Sequence, residues 1–408
     1  MTTCVLYYKL TSVMLKVAVG ASQKKDITEA IQEATNSCLL KLSVQEVSLA
    51  LVFCTPSFTT PVLLKKIKLN LKSNCPLIGC SGMYIINSEG AQRDGLVLIL
   101  IALPKVKISC ATIKVGPSDD AYLAGQGLGT NLISNLKEYR REICLMFSDG
   151  CLEDTSRLIQ GLQNILGKSF PFIGGGASDD LKFKQTFQFY NEHILNRSTV
   201  AALFAGKFTY AIGIRHGWKP LGKIHTISDS SANVIKKIDG KKAVHLYEDY
   251  LAKTLAELKK DILLINALYP IGMQLKGEKE YLLRNVIALN DDGSIVTQGD
   301  VPQESSIRIM IGTKESCTEA ARQAAVQAKI AMRDKAMDLA IIISSASRAY
   351  LLGRNVNAEI KAVRAVLGPD IPLAGFYSYG QYAQLGSLNY YGQTYLHNQA
   401  IAILGIGE

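Results

Sequence analysis

The stretch "IPLAGFYSYGQY" (371–382) has two relatives in the same chain, "CPLIGCSGMYI" (75–85) and "FPFIGGGASDD" (170–180). Each sets a Pro at the head of a short apolar run, a Gly near its end, and small or polar residues after it. Proline is tolerated at the first residue of a strand, where its missing N–H costs least. The glycine and its small successors permit positive φ and close approach to the main chain. The three stretches read as three strands, each ending in a loop.

Around each stretch the same order of patterns recurs. Unit one has strand-like segments at 13–20, 47–54, 76–81 and 95–103, with helical stretches at 24–42 and 58–72. Unit two has strands at 107–115, 143–150, 170–177 and 199–206, and helices at 119–135 and 152–166. Unit three runs from "SIRIMIG" (306–312) through helix 314–333, strand 338–345, helix 356–367 and "IPLAGF" to "QAIAILGIG" (399–407). Each unit of roughly 100 residues is β-α-β-α-β-β, a repeat that sets the architecture. The middle strands are apolar throughout, the mark of burial on both faces in sheets flanked by helices. The final strand of each unit is expected to return antiparallel. Residues 207–305 break the pattern: short strands, an amphipathic helix at 241–260, and a hairpin at 278–299 turning at Asp291-Asp292-Gly293. The fold class is α/β, with mixed, helix-flanked sheets and an α+β segment inserted between units two and three.

The 408 residues carry a net charge of +10, with 48% hydrophobic and 20% charged residues. The basic residues are scattered along helix and strand faces. No basic stripe with interleaved aromatics is present, so no nucleic-acid partner is expected. No run approaches the ~20 apolar residues of a membrane span. The nine cysteines include no CxxC pair, and several lie in apolar runs. Free buried thiols in a cytoplasmic protein are the expected reading. The five histidines show no metal-ligand spacing, and no metal or cofactor is expected.

The small-residue loops lie where open α/β sheets bind ligands, at the carboxyl ends of strands. "GGGASDD" lacks the Lys-Ser/Thr ending of a P-loop, and no helix opens after it as in a dinucleotide fingerprint. Arg348 follows a buried strand and Arg284 lies in the hairpin; an arginine so placed can grip a carboxylate. The alternative for Arg348 is a charge in a helix N-cap region or a surface ion pair. His397 and Asn398 precede the last strand, where His397 can simply bond its own loop, and Tyr379 can simply pack. Asp179–Asp180 read as solvated loop acids. Cys80, with a distant His, is the one candidate nucleophile.

"PLIGCSGMYI", "FPFIGGGASDD", "RHGWKPLGKIHTISDSSANVIKKIDGKKAVHLYEDYL", "YPIGMQLKGEKEYLLRNVIALNDDGSI", "ISSASRAYLLG", "IPLAGFYSYGQYA" and "YLHNQA" occur in an order that resembles the FIST family. The resemblance implies an N-terminal FIST domain at 28–235 and a C-terminal one at 240–403. It also implies a non-enzymatic intracellular sensory module for a small molecule, an amino acid or another small anion. With no output segment left over, the module would act on a signalling partner in trans. Carried over residue by residue, the ligand-binding positions are Gly79, Cys80, Ser81, Gly174, Gly175, Gly176, Ser178, Arg284, Arg348, Gly375, Tyr379, Gly380, Gln381, His397 and Asn398. The chain departs from the family pattern in four places. Gly82-Met83-Tyr84-Ile85 replaces a Thr-Ala-Gly-Glu run, and Gln381 replaces a Glu. Ser345 replaces a Cys, and Ala400 replaces the Thr that ends a His-Asn-Gln-Thr block. Missing acids at pocket positions imply a different ligand or lost binding. Two rival expectations stand beside the sensor: an enzyme using Cys80 and His397, and a purely structural interaction protein with an exposed apolar patch.

Overall fold

A computed structural model describes residues 15–43, 47–275, 280–385 and 392–408. Unit one consists of β1 (Lys16–Ser22), α1 (Ile27–Leu39), β2 (Leu49–Cys54), α2 (Val62–Leu71), β3 (Leu77–Ser81), β4 (Ile85–Asn87), β5 (Gly90–Gln92) and β6 (Leu96–Ala102). Unit two follows as β7 (Lys107–Lys114), α3 (Ala121–Ile133), β8 (Arg141–Ser148), α4 (Thr155–Leu166), β9 (Phe172–Gly176), β10 (Gln188–Tyr190), β11 (His193–Leu195) and β12 (Ser198–Ala205). Helix starts follow local chemistry: the Asp26 carboxylate accepts from the Glu29 amide at the head of α1, and Asp120 does the same for Tyr122 and Leu123 at the head of α3.

Unit three begins earlier than the sequence pattern suggests. Its first strand is β13 (Thr209–Arg215), not Ser306–Ile311. After β13 comes the insertion: β14 (Lys219–Ser231), β15 (Val234–Ile238), β16 (Lys241–Lys242), α5 (His245–Leu251), α6 (Leu255–Lys260), α7 (Ile262–Leu268), β17 (Ile271–Gln274), β18 (Tyr281–Arg284), β19 (Val286–Leu289), β20 (Ile295–Thr297) and β21 (Ser306–Ile311). The unit resumes with α8 (Lys314–Ala331), β22 (Leu339–Ser345), α9 (Ala346–Leu352), α10 (Asn357–Leu367), β23 (Leu373–Ser378), β24 (Gln381–Gln384), β25 (Thr394–His397) and β26 (Ile401–Gly407). The insertion thus sits inside unit three rather than between units two and three. Strand β21 reads like a first strand because it precedes α8, but its edges pair with β14 and β17. Strand β13 pairs with β26, as β1 does with β6 and β7 with β12.

The mixed α/β class holds in every unit. The sheet orders are β1-β6-β2-β3, β7-β12-β8-β9 and β13-β26-β22-β23. In each, the last strand returns antiparallel between the first and second, and the second and third are parallel. The hairpins are exchanged in a cycle. Hairpin β4–β5 of unit one extends the unit-three sheet, β10–β11 of unit two extends unit one's, and β24–β25 of unit three extends unit two's. One shared core lies between the three sheets, with Phe53, Phe147 and Phe376 at its centre. Their ring centroids are 4.7–5.7 Å apart, in stacked and edge-on geometries that aromatic pairs favour. Separate clusters fill the space between each sheet and its helices.

The repeated glycine now has a physical cause. Gly79, Gly174 and Gly375 pair with Val52, Met146 and Ile342 of the neighbouring parallel strand. A Cβ on any of them would lie 1.8 Å from that partner's carbonyl oxygen.

In the insertion, β14, β15 and β17–β21 form one further sheet. The expected single helix at 241–260 is two. Ala252 turns left-handed, and a Thr254–Glu257 capping box restarts the chain as α6. The Asp291-Asp292-Gly293 turn is found, but its hairpin is β19–β20; β18 pairs with β17 instead.

Candidate functional site

The three small-residue loops meet, and they meet each other. The Tyr377 amide donates to Tyr84, and the Met83 amide to Tyr377; Ser178 donates to Ser81, Tyr379 to Gly176, and Gly176 to Gly380. Side chains close the ring further. Ser81 Oγ donates to the Ser178 carbonyl at 3.0 Å, and Ser178 Oγ accepts from the Met83 amide at 2.8 Å. Gly79, Cys80, Ser81, Gly174, Gly175, Gly176, Ser178, Gly375 and Gly380 are all buried in this junction. Gly175 has no room for a side chain either, since a Cβ there would lie 2.7 Å from Ile343 Cγ2.

The polar candidates around the junction are likewise engaged from within. Arg348, fully buried, bonds Glu359 through Nε at 2.9 Å and Nη2 at 2.8 Å, and the carbonyls of His216, Gln399 and Cys317. Glu359, equally buried, also takes hydrogen bonds from Ser344 and Tyr377. The expected carboxylate grip of Arg348 is therefore spent on a partner inside the chain, one that its sequence neighbourhood did not reveal. Arg284 donates to the carbonyls of Asp300, Leu283 and Leu396, and burial lowers its pKa to about 10. His397 donates from Nε2 to the Ala383 carbonyl at 3.0 Å. Burial lowers its pKa to about 4, so it is neutral at physiological pH. Gln381 spans Ser378 Oγ and the Ala400 amide, and Asn398 spans the Asn285 amide and Gln298 Oε1. Cys80 is sealed in the shared core, and burial pushes its thiol well above the ordinary value. A thiol held protonated is a poor nucleophile.

Asp179 is not a solvated acid. It is buried, and its carboxylate accepts from the amides of Lys182, Phe183, Lys184 and Gln185 and from the Tyr379 hydroxyl. Burial alone would raise its pKa; the Tyr379 hydroxyl and the loop amides outweigh that and hold it below the usual value. The loop folds around this carboxylate with Leu181 and Phe183 left-handed, and sets the Phe183 ring on Tyr379 at 4.4 Å.

Phe183 is one wall of a cavity of about 320 Å³ between unit two and the insertion. Unit two contributes Gly150, Cys151, Leu152 and Glu153 after β8. The insertion contributes Asn233, Ile262, Leu263 and Asn266 from one side, and Val286, Ile287, Thr297 and Gln298 from β19, β20 and the residue after β20. The hollow between α8 and α10 is larger but is a surface groove of charged side chains. None of the residues singled out in the sequence lines the cavity. Several stand directly behind it. Gln298 donates to the Tyr379 carbonyl and accepts from Asn398 and Asn285; Gln399, buried and left-handed, reaches Asn266 and Asn285. No pattern in the sequence marks Gln298 or Asn266, which come from separate elements of an irregular insertion. The "SDD" step was visible, but not that its first acid is enclosed. Among the described residues no group of His, Cys, Asp or Glu is placed to hold a metal. No helix among them is long and apolar enough to cross a membrane.

Fold and cavity together define a mixed α/β protein whose interlocked units carry a cleft of small-molecule size beside an inserted domain. The FIST N domain matches residues 48–241 and the FIST C domain residues 243–384, and the chain belongs to the FIST family. FIST domains are associated with sensing of small ligands in signal transduction. An uncharacterized protein of Methanocaldococcus jannaschii is 24% identical over 214 residues, 48% of this chain. The matched region spans 40% of that relative's length. Among solved structures, cyanuric acid hydrolase from A. caulinodans aligns over 97% of this chain and 99% of its own, at a TM-score of 0.36 and 8% identity. Phosphoribosylformylglycinamidine synthase II from Thermotoga maritima aligns over 96% and 72%, at a TM-score of 0.23 and 9% identity. At these scores neither sets an expectation for chemistry.

Proposed function

We propose that the protein is a non-enzymatic sensory module that binds a small polar ligand, with amino acids the first class to test. The ligand sits in the cleft between unit two and the insertion, and occupancy is passed to a protein partner in trans. The observation that carries this reading is the cleft itself. Beside the junction it brings polar groups and apolar side chains from two parts of the fold to one open space. Its two walls belong to different parts of the fold, so a ligand touching both favours one packing of the insertion over others. Such a ligand shifts that equilibrium only by its differential affinity. The buried, protonated Cys80 and neutral, loop-bound His397 weigh against the enzyme reading.

The interaction-protein reading keeps one supporting observation. Phe183, Leu263 and Ile287 at the cleft and Leu264 beside it are each at least 40% exposed, an apolar lip that a partner could cover. The deciding experiment is a thermal-shift screen of the full chain against amino acids, small anions and amines, with Leu263→Trp alongside. A ligand at ~100 times its dissociation constant adds about 2.7 kcal/mol. A shift seen in the parent and lost in Leu263→Trp is the expected result. Shifts that persist in the variant would place the ligand elsewhere, and a flat screen would move the function to the apolar lip.

A further inference from the structure

We propose that the cleft selects an organic cation with an apolar body, a primary amine or guanidine, over a carboxylate or phosphate. The inference rests on the cleft being the ligand site, and it changes the expected ligand from an anion to a cation.

Charge comes first. The chain is +10 overall, yet no Lys or Arg lines the cleft, and Glu153 is its one charged residue. Glu153 has no ion-pair or hydrogen-bond partner among the described residues, and it also borders a second hollow that holds Asp119, Asp149 and Asp154. Lys184 and Arg197 are the only basic residues lining that hollow. Arg348 and Arg284, the two arginines that could have received an anion, point their donors into the chain. An anion entering the cleft would lose water and meet a carboxylate, with no cation to offset either cost.

The walls complete the case. Leu152, Ile262, Leu263, Val286 and Ile287 supply an apolar lining. Phe183 offers an aromatic ring, 42% exposed, and a ring face attracts an ammonium or guanidinium. At the inner end stands Asn266, only 6% exposed. Asn266 lines the cavity; its Oδ1 accepts from Gln399, and its Nδ2 donates to no partner among the described residues. Asn233 is held through Nδ2 to the Thr297 carbonyl, which leaves its Oδ1 as an acceptor. A ligand with a cationic head at Glu153, an apolar middle and a neutral polar group at Asn266 matches both ends of the cleft and its apolar lining.

The test is calorimetric titration of the full chain with three molecules of one shape: 2-phenylethylamine, phenylalanine and 3-phenylpropionate. The expected order of affinity is amine, then amino acid, then acid. Glu153→Gln should weaken the amine about fivefold, the scale of an exposed ion pair, and leave the acid unchanged or tighter. Acid binding as tight as amine, or amine affinity unchanged in Glu153→Gln, would overturn the cation inference while leaving the sensor reading intact. Binding of none of the three also overturns the inference, whereas the sensor reading then stands or falls by the wider thermal-shift screen. Amine binding that survives Leu263→Trp would overturn both, because the ligand would not be in this cleft.

Discussion

The junction of the three loops and the cleft beside it lie one side chain apart, yet they differ in every respect that matters for binding. At the junction the loops' donors find acceptors in one another, Gly79, Gly174 and Gly375 face a neighbouring strand's carbonyl, and phenylalanines fill the shared core. At the cleft, Asn266, Asn233 and Glu153 keep polar atoms without partners among the described residues, and apolar side chains remain exposed. Tyr379 touches both regions, through Asp179 and Gln298. The contrast teaches that a repeated, polar, glycine-rich motif can be the closure of a fold. The binding surface arises where the repeat is interrupted.

The strongest way to break this comparison is to open the junction. Arg348→Met would leave Glu359 buried without its cation, and losing one partner of such a pair costs about 3–5 kcal/mol. Urea unfolding measures it, and a loss below about 1 kcal/mol would mean that the arginine is not committed to the fold. A second break goes through Asp179. Asp179→Asn removes charge from a carboxylate held by five donors and is expected to cost on the order of 2–3 kcal/mol near neutral pH. Because the folded-state pKa lies below the unfolded value, Asp179 contributes stability that is fully present above about 3.9. That contribution is lost as pH falls through the lower folded pKa.

The buried histidines act over a higher window. His216, lowered to about 3 by burial and neighbouring cations, and His397, lowered to about 4, stay neutral in the fold while the unfolded chain takes up protons below about 6.5. Stability should therefore fall between about pH 6.5 and 4, with a shallower slope in His397→Gln, as read from unfolding curves across pH. Tyr379→Phe sharpens the comparison. Loss of its bond to Asp179 should cost about 1.5–3 kcal/mol, and hydrogen exchange at the amides of 182–185 should accelerate. Unchanged exchange there would show that the loop holds its shape without the tyrosine. The smallest effect belongs to the cleft: Leu263→Trp, at an exposed position, should change stability by less than about 0.5 kcal/mol while abolishing ligand shifts.

Much of the architecture was legible in the chain itself. Apolar runs such as "LALVFC" and "DLAIIISS" mark strands buried on both faces, and the Pro-to-Gly step marks the third strand of each unit, because these patterns report local burial and local backbone demands. The antiparallel return of each last strand was legible for the same reason. Strand partners were not. "TYAIGIR" and "SIRIMI" have the same apolar character, and only the open edge of β26 decides that the first belongs to unit three. The cyclic exchange of hairpins is equally silent: the β-α-β-α-β-β reading contains none of β4, β5, β10, β11, β24 and β25, whose three or four residues are too few to carry a pattern. The family boundary between 241 and 243 likewise cuts the inserted sheet, which draws strands from both sides of it.

The candidate site divides along the same line. From sequence alone the residue types of the loops, their small size and the arginines near strand ends were fixed, because those are properties of consecutive residues. Whether a polar side chain faces a ligand or a neighbour depends on what lies within 3 Å in space, and that was decided only by tertiary packing. Glu359 lies 11 residues from Arg348 and completes its pairing; Asp179 lies 200 residues from Tyr379 and completes its own. Gln298, Asn266, Phe183 and Glu153 come together across the insertion and unit two because the sheets bring them there, and no spacing along the chain records it.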